Sequence, residues 1–425
     1  MNDVRTPVQG EARRLAATVA AEEAAHPHTP SQVKEESLAR LQVMIESRAI
    51  WSAIGGGAIG VIFGAIVFVG KSPPLAGDGS IQFYASIVGG ITAGIAFLLG
   101  FSLNARMANI WLGQRPRLRQ LLDTVALLVV HSSIAVMGSL GIFRVFQEAF
   151  LGLEVDHIAG SVLLGIMGGV SAYFSFNSGA RINAFTLSTL LALFMASGVL
   201  VSMIFAENPL WWSVMFSELG TGQAGLTSFW TFNTTLVVSG VIITTLTAFI
   251  TNDLKTWAAK VAESQDRQIE QRREHLLNER GRVPRRVLVR QAFSRHVHMP
   301  RVGIVRVAMI GMGVSLAGVG LVPITFHNQI HSTATMSFGV FFMILLVGMP
   351  YWVPGFPRSF YVLSYLYAGG LVGATALWKP IGYYNLTSLE LIAGAILFAW
   401  LVVFIRNIAA LLGQSRGDGL AQQPA

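Results

Sequence analysis

Apolar stretches long enough to cross a lipid bilayer recur ten times along the chain, separated by short polar segments. A transmembrane helix needs about 20 predominantly apolar residues, and runs of this length are too long for strands. The pattern therefore predicts an all-α, polytopic integral membrane helical bundle of about ten transmembrane helices. The predicted spans are 50–70, 80–103, 121–143, 157–176, 184–206, 229–251, 302–323, 334–350, 359–378 and 387–406.

Composition agrees with a chain whose main solvent is lipid. Hydrophobic residues make up 53% of the sequence and charged residues 12%, against about 25% charged residues in soluble domains. The excess positive charge, a formal net charge of +8, lies in loops beside the spans. There it is expected to set the orientation of the chain and to attract anionic headgroups rather than to bind nucleic acid. The absence of cysteine excludes disulfides, thiolate metal sites and cysteine nucleophiles.

Positive charge alternates from loop to loop, which predicts how the chain is oriented. Basic residues follow every second span, whereas the other loops are mostly acidic, with Lys71, Arg144 and Lys379 as exceptions. Because basic loops stay on the cytoplasmic side, both termini are expected in the cytoplasm and the protein in the cytoplasmic (inner) membrane as a multi-pass protein. The basic loop residues are Arg106, Arg115, Arg117, Arg119, Arg181, Arg358 and Arg406, and the opposing acids include Asp78, Glu148, Glu154, Asp156, Glu207 and Glu218.

The spacing of the spans divides the chain into a polar tail, two membrane halves and a second tail. Residues 1–49 form the first tail, in which 33–48 has helical periodicity and is expected to lie on the membrane surface as a short amphipathic helix. Residues 50–183 are a four-span half, 184–406 a six-span half, and 407–425 the cytoplasmic tail.

The segment 253–301 is a strongly basic loop between spans six and seven, and residues 265–279 are predicted to extend span six as a polar helix. Such a loop suits docking of anionic membrane lipids or a cytoplasmic protein partner, or else it is only a signal that keeps this loop inside. The candidate docking residues are Arg272, Arg273, Arg285, Arg286 and Arg290.

Spans one to four and five to eight share an order of loops that suggests an internal repeat. A histidine and a glycine eight residues apart begin the fourth span of each copy, His157 with Gly165 and His331 with Gly339. A four-span step preserves direction, so this would be a parallel duplication. Chance similarity between apolar segments is the alternative.

Residues 185–405 resemble the membrane family of domain of unknown function 998, within the superfamily of FGF-receptor-activating proteins and damage-regulated autophagy modulators. The resemblance rests on two motifs, Ser217–Thr221 followed by Phe232 and Asn233, and Gly320–Pro323 leading to Ile330–Ala334. It implies an integral membrane protein of largely unassigned activity with links to lipid biology, and it supplies no catalytic residue. The first four spans are an addition to that pattern.

Polar groups within the spans are few. His131 is the deepest, and it is either a proton relay or substrate contact, or an imidazole hydrogen-bonded between helices. Asp123, Glu390 and Arg306 lie near span ends. This scarcity argues against a carrier driven by ions through buried carboxylates.

The outer loops carry the richer set of polar residues. His327 and His331 are four residues apart, a spacing that suits a zinc ion with further ligands; the alternative is that both cap a span end and bond to loop carbonyls. His157, Ser217 and Glu218 lie in loops on the same side, and the five residues form a candidate outer cluster.

No nucleotide-binding or common hydrolase motif occurs. The sequence therefore favours a non-enzymatic membrane protein that binds lipid or a protein partner without a cofactor. A zinc-dependent lipid hydrolase at the outer histidines and a transporter of an uncharged or amphipathic solute are the alternatives.

Overall fold

The computed structural model describes residues 30–105, 116–280 and 300–421, and within these ranges the chain is almost entirely α-helical. Ten α-helices follow one another, and short π and 3₁₀ turns lie at Phe101–Ala105, Trp211–Ser213, Phe216–Gly220 and Gly222–Ala224. The helices are α1 Pro30–Val67, α2 Ile81–Gly100, α3 Arg117–Ala149, α4 His157–Ala180, α5 Ala184–Ile204, α6 Leu226–Arg280, α7 Val302–Leu321, α8 Asn328–Trp352, α9 Arg358–Trp378 and α10 Leu386–Ala421.

All ten predicted spans are confirmed as helices long and apolar enough to cross a membrane. The described ranges contain no β-strand, only one isolated bridge between Pro74 and Glu154. The protein is thus an all-α, multi-pass membrane bundle. We call the side from which α1 enters the membrane the near face and the opposite side the far face.

The ends of two helices extend beyond the predicted spans. The segment 33–48 is helical, but it forms the beginning of α1 and is not a separate surface helix. The reason is local, because neither glycine nor proline separates Arg48 from the apolar run before Gly55, so the helix has no cause to stop. The prediction that a polar helix extends span six is confirmed, since α6 runs for 55 residues without a break.

In the first half, α4 packs against α1 and α2, and α2 packs against α3. Glycines allow the closest of these approaches, as expected where small residues let helix backbones meet in a membrane. A Cβ atom built on Gly60 would lie 2.4 Å from the Leu164 carbonyl oxygen, and one on Gly56 would lie 2.6 Å from the Gly168 carbonyl oxygen. The α1–α4 contact is therefore a backbone-to-backbone contact.

In the second half, α6 and α7 form the most extensive pair, with α8 packed on α7 and α5 on α6. α9 lies between α8 and α10, and α10 returns to contact α5 and α6. A buried aromatic cluster joins these last helices, with the Trp400 and Phe404 rings stacked 4.9 Å apart. The other members of the cluster are Phe342, Phe356 and Phe360.

The two halves meet along α3, which contacts α2 on one side and α5 and α6 on the other. The helix packing gives no support to the four-span repeat. α1 packs mainly on α4, whereas its counterpart α5 packs mainly on α6. The two four-span segments therefore share a sequence pattern but differ in which of their helices pack together.

Candidate functional site

A groove with a volume of about 620 Å³ lies between α3, α4 and α5, within the range of about 300–1,000 Å³ typical of ligand sites. Each helix contributes one face to its wall. The residues along it are His131, Ile134, Ala135, Gly138, Ile142, Met167, Val170, Ser171, Phe174, Ser175, Asn177, Ser178, Arg181, Phe185, Thr186, Thr189, Leu190 and Leu193.

The wall of the groove is almost entirely apolar, and the polar residues Asn177 and Arg181 lie at one end of it. α4 runs from the far face to the near face, so Asn177 and Arg181 lie at the near end. α3 runs the opposite way, so Ile142 lies toward the far face, and Met167 of α4 also lines the groove. This polarity matches a membrane amphiphile whose headgroup lies at the near face and whose chain lies along the apolar wall.

His131 is buried in the wall of this groove and bonded through both ring nitrogens. Its Nδ1 lies 2.7 Å from the Leu127 carbonyl oxygen, and its Nε2 lies 2.9 Å from the Ser178 hydroxyl. A carbonyl can only accept, so Nδ1 carries the proton and Nε2 accepts from Ser178. The ring also stacks on Phe97, with centroids 4.4 Å apart. This geometry matches the interpretation of His131 as a hydrogen-bonded link between helices.

Charged and polar side chains gather at the near end of the groove. The Arg181 guanidinium lies 3.4 Å from the Glu46 carboxylate of α1, and both side chains remain partly exposed. The same carboxylate accepts a hydrogen bond from the Tyr173 hydroxyl. Within the described part of the chain, the buried Oδ1 of Asn177 has no hydrogen-bond partner. Arg181 is therefore the charged residue of the groove wall, and its partner Glu46 lies on α1 outside that wall.

A second groove, of about 510 Å³, lies on the other side of α3, against the far-face end of α6. Ser132 and Ser133 of α3 face Thr227, Trp230 and Thr231 of α6 across it. α3 therefore has a groove on each side.

The far-face loop between α5 and α6 folds back over the start of α6. Ser217, Glu218 and Thr221 are buried, and the Thr221 hydroxyl donates to the Glu218 carbonyl oxygen at 2.8 Å and to its carboxylate at 3.2 Å. The Asn233 side chain donates to the Gly220 carbonyl oxygen at 3.0 Å. The loop is also fixed to α10, because the Phe216 amide donates to the Glu390 carboxylate at 2.6 Å.

The second motif of the resemblance packs against the first. Gly320 lies against the backbone of α6, where an added Cβ would be 2.6 Å from the Asn233 carbonyl oxygen. Two residues later, the Val322 carbonyl oxygen lies 2.9 Å from Nδ1 of the buried His331. The two motifs therefore form one packed unit at the far face.

The five residues of the candidate outer cluster lie in three separate segments at the far face. Ser217 and Glu218 lie in the buried loop, while His327 is exposed and caps α8 by accepting from the Ile330 amide at 3.4 Å. His157 is exposed at the start of α4, which packs on α1, α2 and α3 rather than on α8. No group of three or more His, Cys, Asp or Glu side chains that could hold a metal ion occurs among the described residues.

The basic loop is only partly described. Arg272 and Arg273 are exposed on the near-face extension of α6, where Arg273 pairs with Glu270 at 3.8 Å. Arg285, Arg286 and Arg290 lie outside the described residues. The two described arginines therefore lie on a helix that extends away from the membrane.

Sequence reasoning named His131 but missed the groove around it. The available signal was the spacing of Ser171, Ser175 and Ser178, four and three residues apart, which places three hydroxyls on one face of α4. The sequence could not show that α5 packs beside this face without covering it.

Comparison of this chain with protein-family models, curated proteins and solved structures found no match.

Proposed function

We propose that this protein binds a membrane lipid in the groove between α3, α4 and α5. The observation that carries the proposal is the long, mostly apolar wall of the groove, which ends in Asn177, Arg181 and Thr186 at the near face. A water-soluble ligand would not cover the apolar wall with apolar groups. A lipid would place its apolar chain along that wall and its polar head at the near end.

The arrangement of His131 supports binding rather than catalysis. Both nitrogens of His131 are used within the protein, so the imidazole is not poised to move a proton to or from a bound molecule. The groove then acts as a shaped surface that holds one lipid against the seam between the two halves.

Gly138 offers a direct test, because it lies on the groove wall and an added Cβ would meet nothing within 4 Å. Gly138→Phe should fill the groove without disturbing the backbone. Gly339→Phe is the matched control, since Gly339 is also half-buried in a transmembrane helix, has equal space and lies outside the groove.

The measurement is lipid retention after detergent purification, by native mass spectrometry of each monodisperse protein. We expect wild type and Gly339→Phe to retain a lipid of defined mass, and Gly138→Phe to lose it. Equal retention by Gly138→Phe and wild type would reject the groove as the lipid site.

Transport of an amphipathic solute is a second candidate function, favoured by the two grooves on opposite sides of α3. A carrier of this kind would move its cargo around α3 from one leaflet to the other. In proteoliposomes, a fluorescent lipid should then change leaflet faster with wild type than with Gly138→Phe. Identical rates with wild type, Gly138→Phe and empty liposomes would exclude it.

We also propose that the protein resides in the cytoplasmic membrane with the near face inside, that its basic loop meets anionic lipid or a protein partner, and that residues 185–405 belong to the family of domain of unknown function 998. The loop charges support the first two proposals. The packing of both motifs around Asn233 supports the third.

A further inference from the structure

Arg48 lies at the mouth of a further groove, which runs between α1 and α2 and has a volume of about 490 Å³. Behind this groove lies α4, through the buried Ala172 and Phe176. None of the residues along it belongs to the groove between α3, α4 and α5. It is therefore a separate site, and its occupancy can be tested apart from the proposed function.

The groove extends from the near face toward the middle of the bilayer. α1 starts at the near face, so Arg48 and Trp51 lie at the near end, and Ile59 lies about 16 Å deeper along the helix. The hydrocarbon core is about 30 Å thick. Between these two ends lies Gly55, where an added Cβ would meet nothing within 4 Å. The length of the groove therefore suits one acyl chain of the near leaflet.

The Arg48 side chain is held in place by a neutral amide. Its Nη1 donates to the Asn104 Oδ1 at 3.2 Å. The Asn104 side chain is buried, and its Nδ2 donates to the Gly100 carbonyl oxygen at 3.3 Å. An amide orients the guanidinium without neutralising it. Since a guanidinium has five N–H donors, this bond leaves Arg48 able to bind an anion.

The mouth of the groove is positive. Its lining contains no aspartate or glutamate, and among the residues that the structure describes Arg48 forms no salt bridge. Glu46 lies two residues before Arg48, but it lines neither groove and instead meets Tyr173 and Arg181 of α4. A ligand phosphate at Arg48 therefore has no carboxylate competing for it within the groove.

We infer that an anionic phospholipid binds in the groove between α1 and α2, with its phosphate on Arg48 and an acyl chain along the wall past Gly55. The guanidinium fork matches the geometry of a phosphate, and the exposed Trp51 lies at headgroup level, where tryptophan is favoured. The apolar wall below Arg48 favours a lipid over a free phosphate. A zwitterionic lipid would bring an ammonium that no carboxylate of this groove can receive.

The test is competition between lipids with identical acyl chains. Wild-type protein is purified in mixed micelles with equal amounts of phosphatidylglycerol, phosphatidylcholine and phosphatidylethanolamine, and the retained lipids are identified by native mass spectrometry. We expect several-fold enrichment of phosphatidylglycerol over both zwitterionic lipids.

Two variants of Arg48 test the role of its charge. Arg48→Gln removes the charge but keeps a side-chain amide, and it should abolish the enrichment. Arg48→Lys keeps the charge and should retain most of it. Arg406→Gln is the matched control, because Arg406 belongs to the near-face end of α10 and lies outside the groove.

Gly55→Phe tests the same site from its apolar wall and leaves Arg48 in place. It should fill the groove and remove the bound phosphatidylglycerol. Gly373→Phe is its control, since Gly373 is likewise an exposed glycine of a membrane-spanning helix, has nothing within 4 Å of an added Cβ and lies outside the groove.

Each contrary result has a definite meaning. Equal retention of the three lipids by wild type, or an enrichment that survives both Arg48→Gln and Gly55→Phe, would overturn the inference. An enrichment lost equally in Arg406→Gln would also overturn it, because it would reflect the general charge of the near face. Gly138→Phe should leave the enrichment intact, so failure of the proposed function is recognised separately, by lipid retention that Gly138→Phe does not change.

Discussion

The Nε2 atom of His131 and the hydroxyl of Ser178 lie 2.9 Å apart and join α3 to α4 beside the groove. Ser178→Ala should weaken this joint, because the buried imidazole would lose the donor to its Nε2. Hydrogen bonds between membrane helices are worth about 0.6 kcal/mol on average and about 1.7 kcal/mol at most, so we expect a small decrease in thermal unfolding temperature.

Ser197→Ala is the control for that variant, since among the described residues the Ser197 hydroxyl bonds only the Phe194 carbonyl oxygen of its own helix. Thermal unfolding in detergent, followed by tryptophan fluorescence, compares the two proteins. An equal effect of both substitutions would contradict the role assigned to the His131 joint.

The close approach of α1 and α4 predicts a strong position effect among neighbouring glycines. Gly60→Ala would place a methyl group 2.4 Å from the Leu164 carbonyl oxygen, whereas Gly55→Ala would meet nothing within 4 Å. Overpacking of this kind costs about 1–3 kcal/mol, while alanine at the open site should be neutral or stabilising. Thermal unfolding of both variants checks this, and equal stabilities would show that the helices are not so closely packed.

His331 and His327 should differ in their effect on stability. His331→Ala removes a buried ring bonded to the Val322 carbonyl oxygen, whereas His327→Ala removes an exposed cap whose bond to the Ile330 amide is 3.4 Å long. We expect a larger loss of stability in His331→Ala, by about 1 kcal/mol for the hydrogen bond alone.

Unfolding with and without a zinc chelator distinguishes this role from a metal site. A structural histidine gives the same difference between the variants in both conditions. Destabilisation of the wild type by the chelator, absent from both variants, would instead favour the zinc-dependent alternative.

Asp156 predicts a dependence on pH at the start of α4. The Ala159 and Ile158 amides donate to its carboxylate, which lowers its pKa below the ordinary value of 3.8. A lowered pKa means that this stabilisation is present above pH 3.8 and is lost as the pH falls through the value in the folded protein. Asp156→Asn keeps a cap that does not titrate. The difference in unfolding temperature between the wild type and this variant should therefore change only below about pH 4, where the wild type loses stability. Divergence between pH 5 and 7 would contradict the prediction.

The membrane spans could be read from the sequence because lipid imposes a strict rule on length and polarity. The sequence could not show which helices become neighbours, because an apolar side chain gains little free energy by leaving lipid for contact with another helix. The glycines of α1 show this limit. Gly55, Gly56 and Gly60 look alike in sequence, yet only Gly56 and Gly60 lie against α4.

In the candidate site, too, the sequence predicts the positions of residues along the helices but not how the helices pack together. The depth of His131 and the interfacial position of Arg181 were evident from their places along the spans. Their shared groove was not, because it depends on the space left between three separate helices. For the outer histidines the sequence leaves two interpretations open, since a spacing that suits a metal also suits a helix cap and a bond to a loop carbonyl.

The length of α6 has a mechanical consequence. Its 55 residues contain no proline, and at about 1.5 Å per residue they form a rod about 80 Å long. One end lies under the far-face loop through Asn233, and the other carries Arg272 and Arg273 well outside the bilayer. Because the tip of a rigid rod moves farther than its middle, any tilt of α6 would shift Arg272 and Arg273 sideways by more than it shifts the part of the helix within the bilayer.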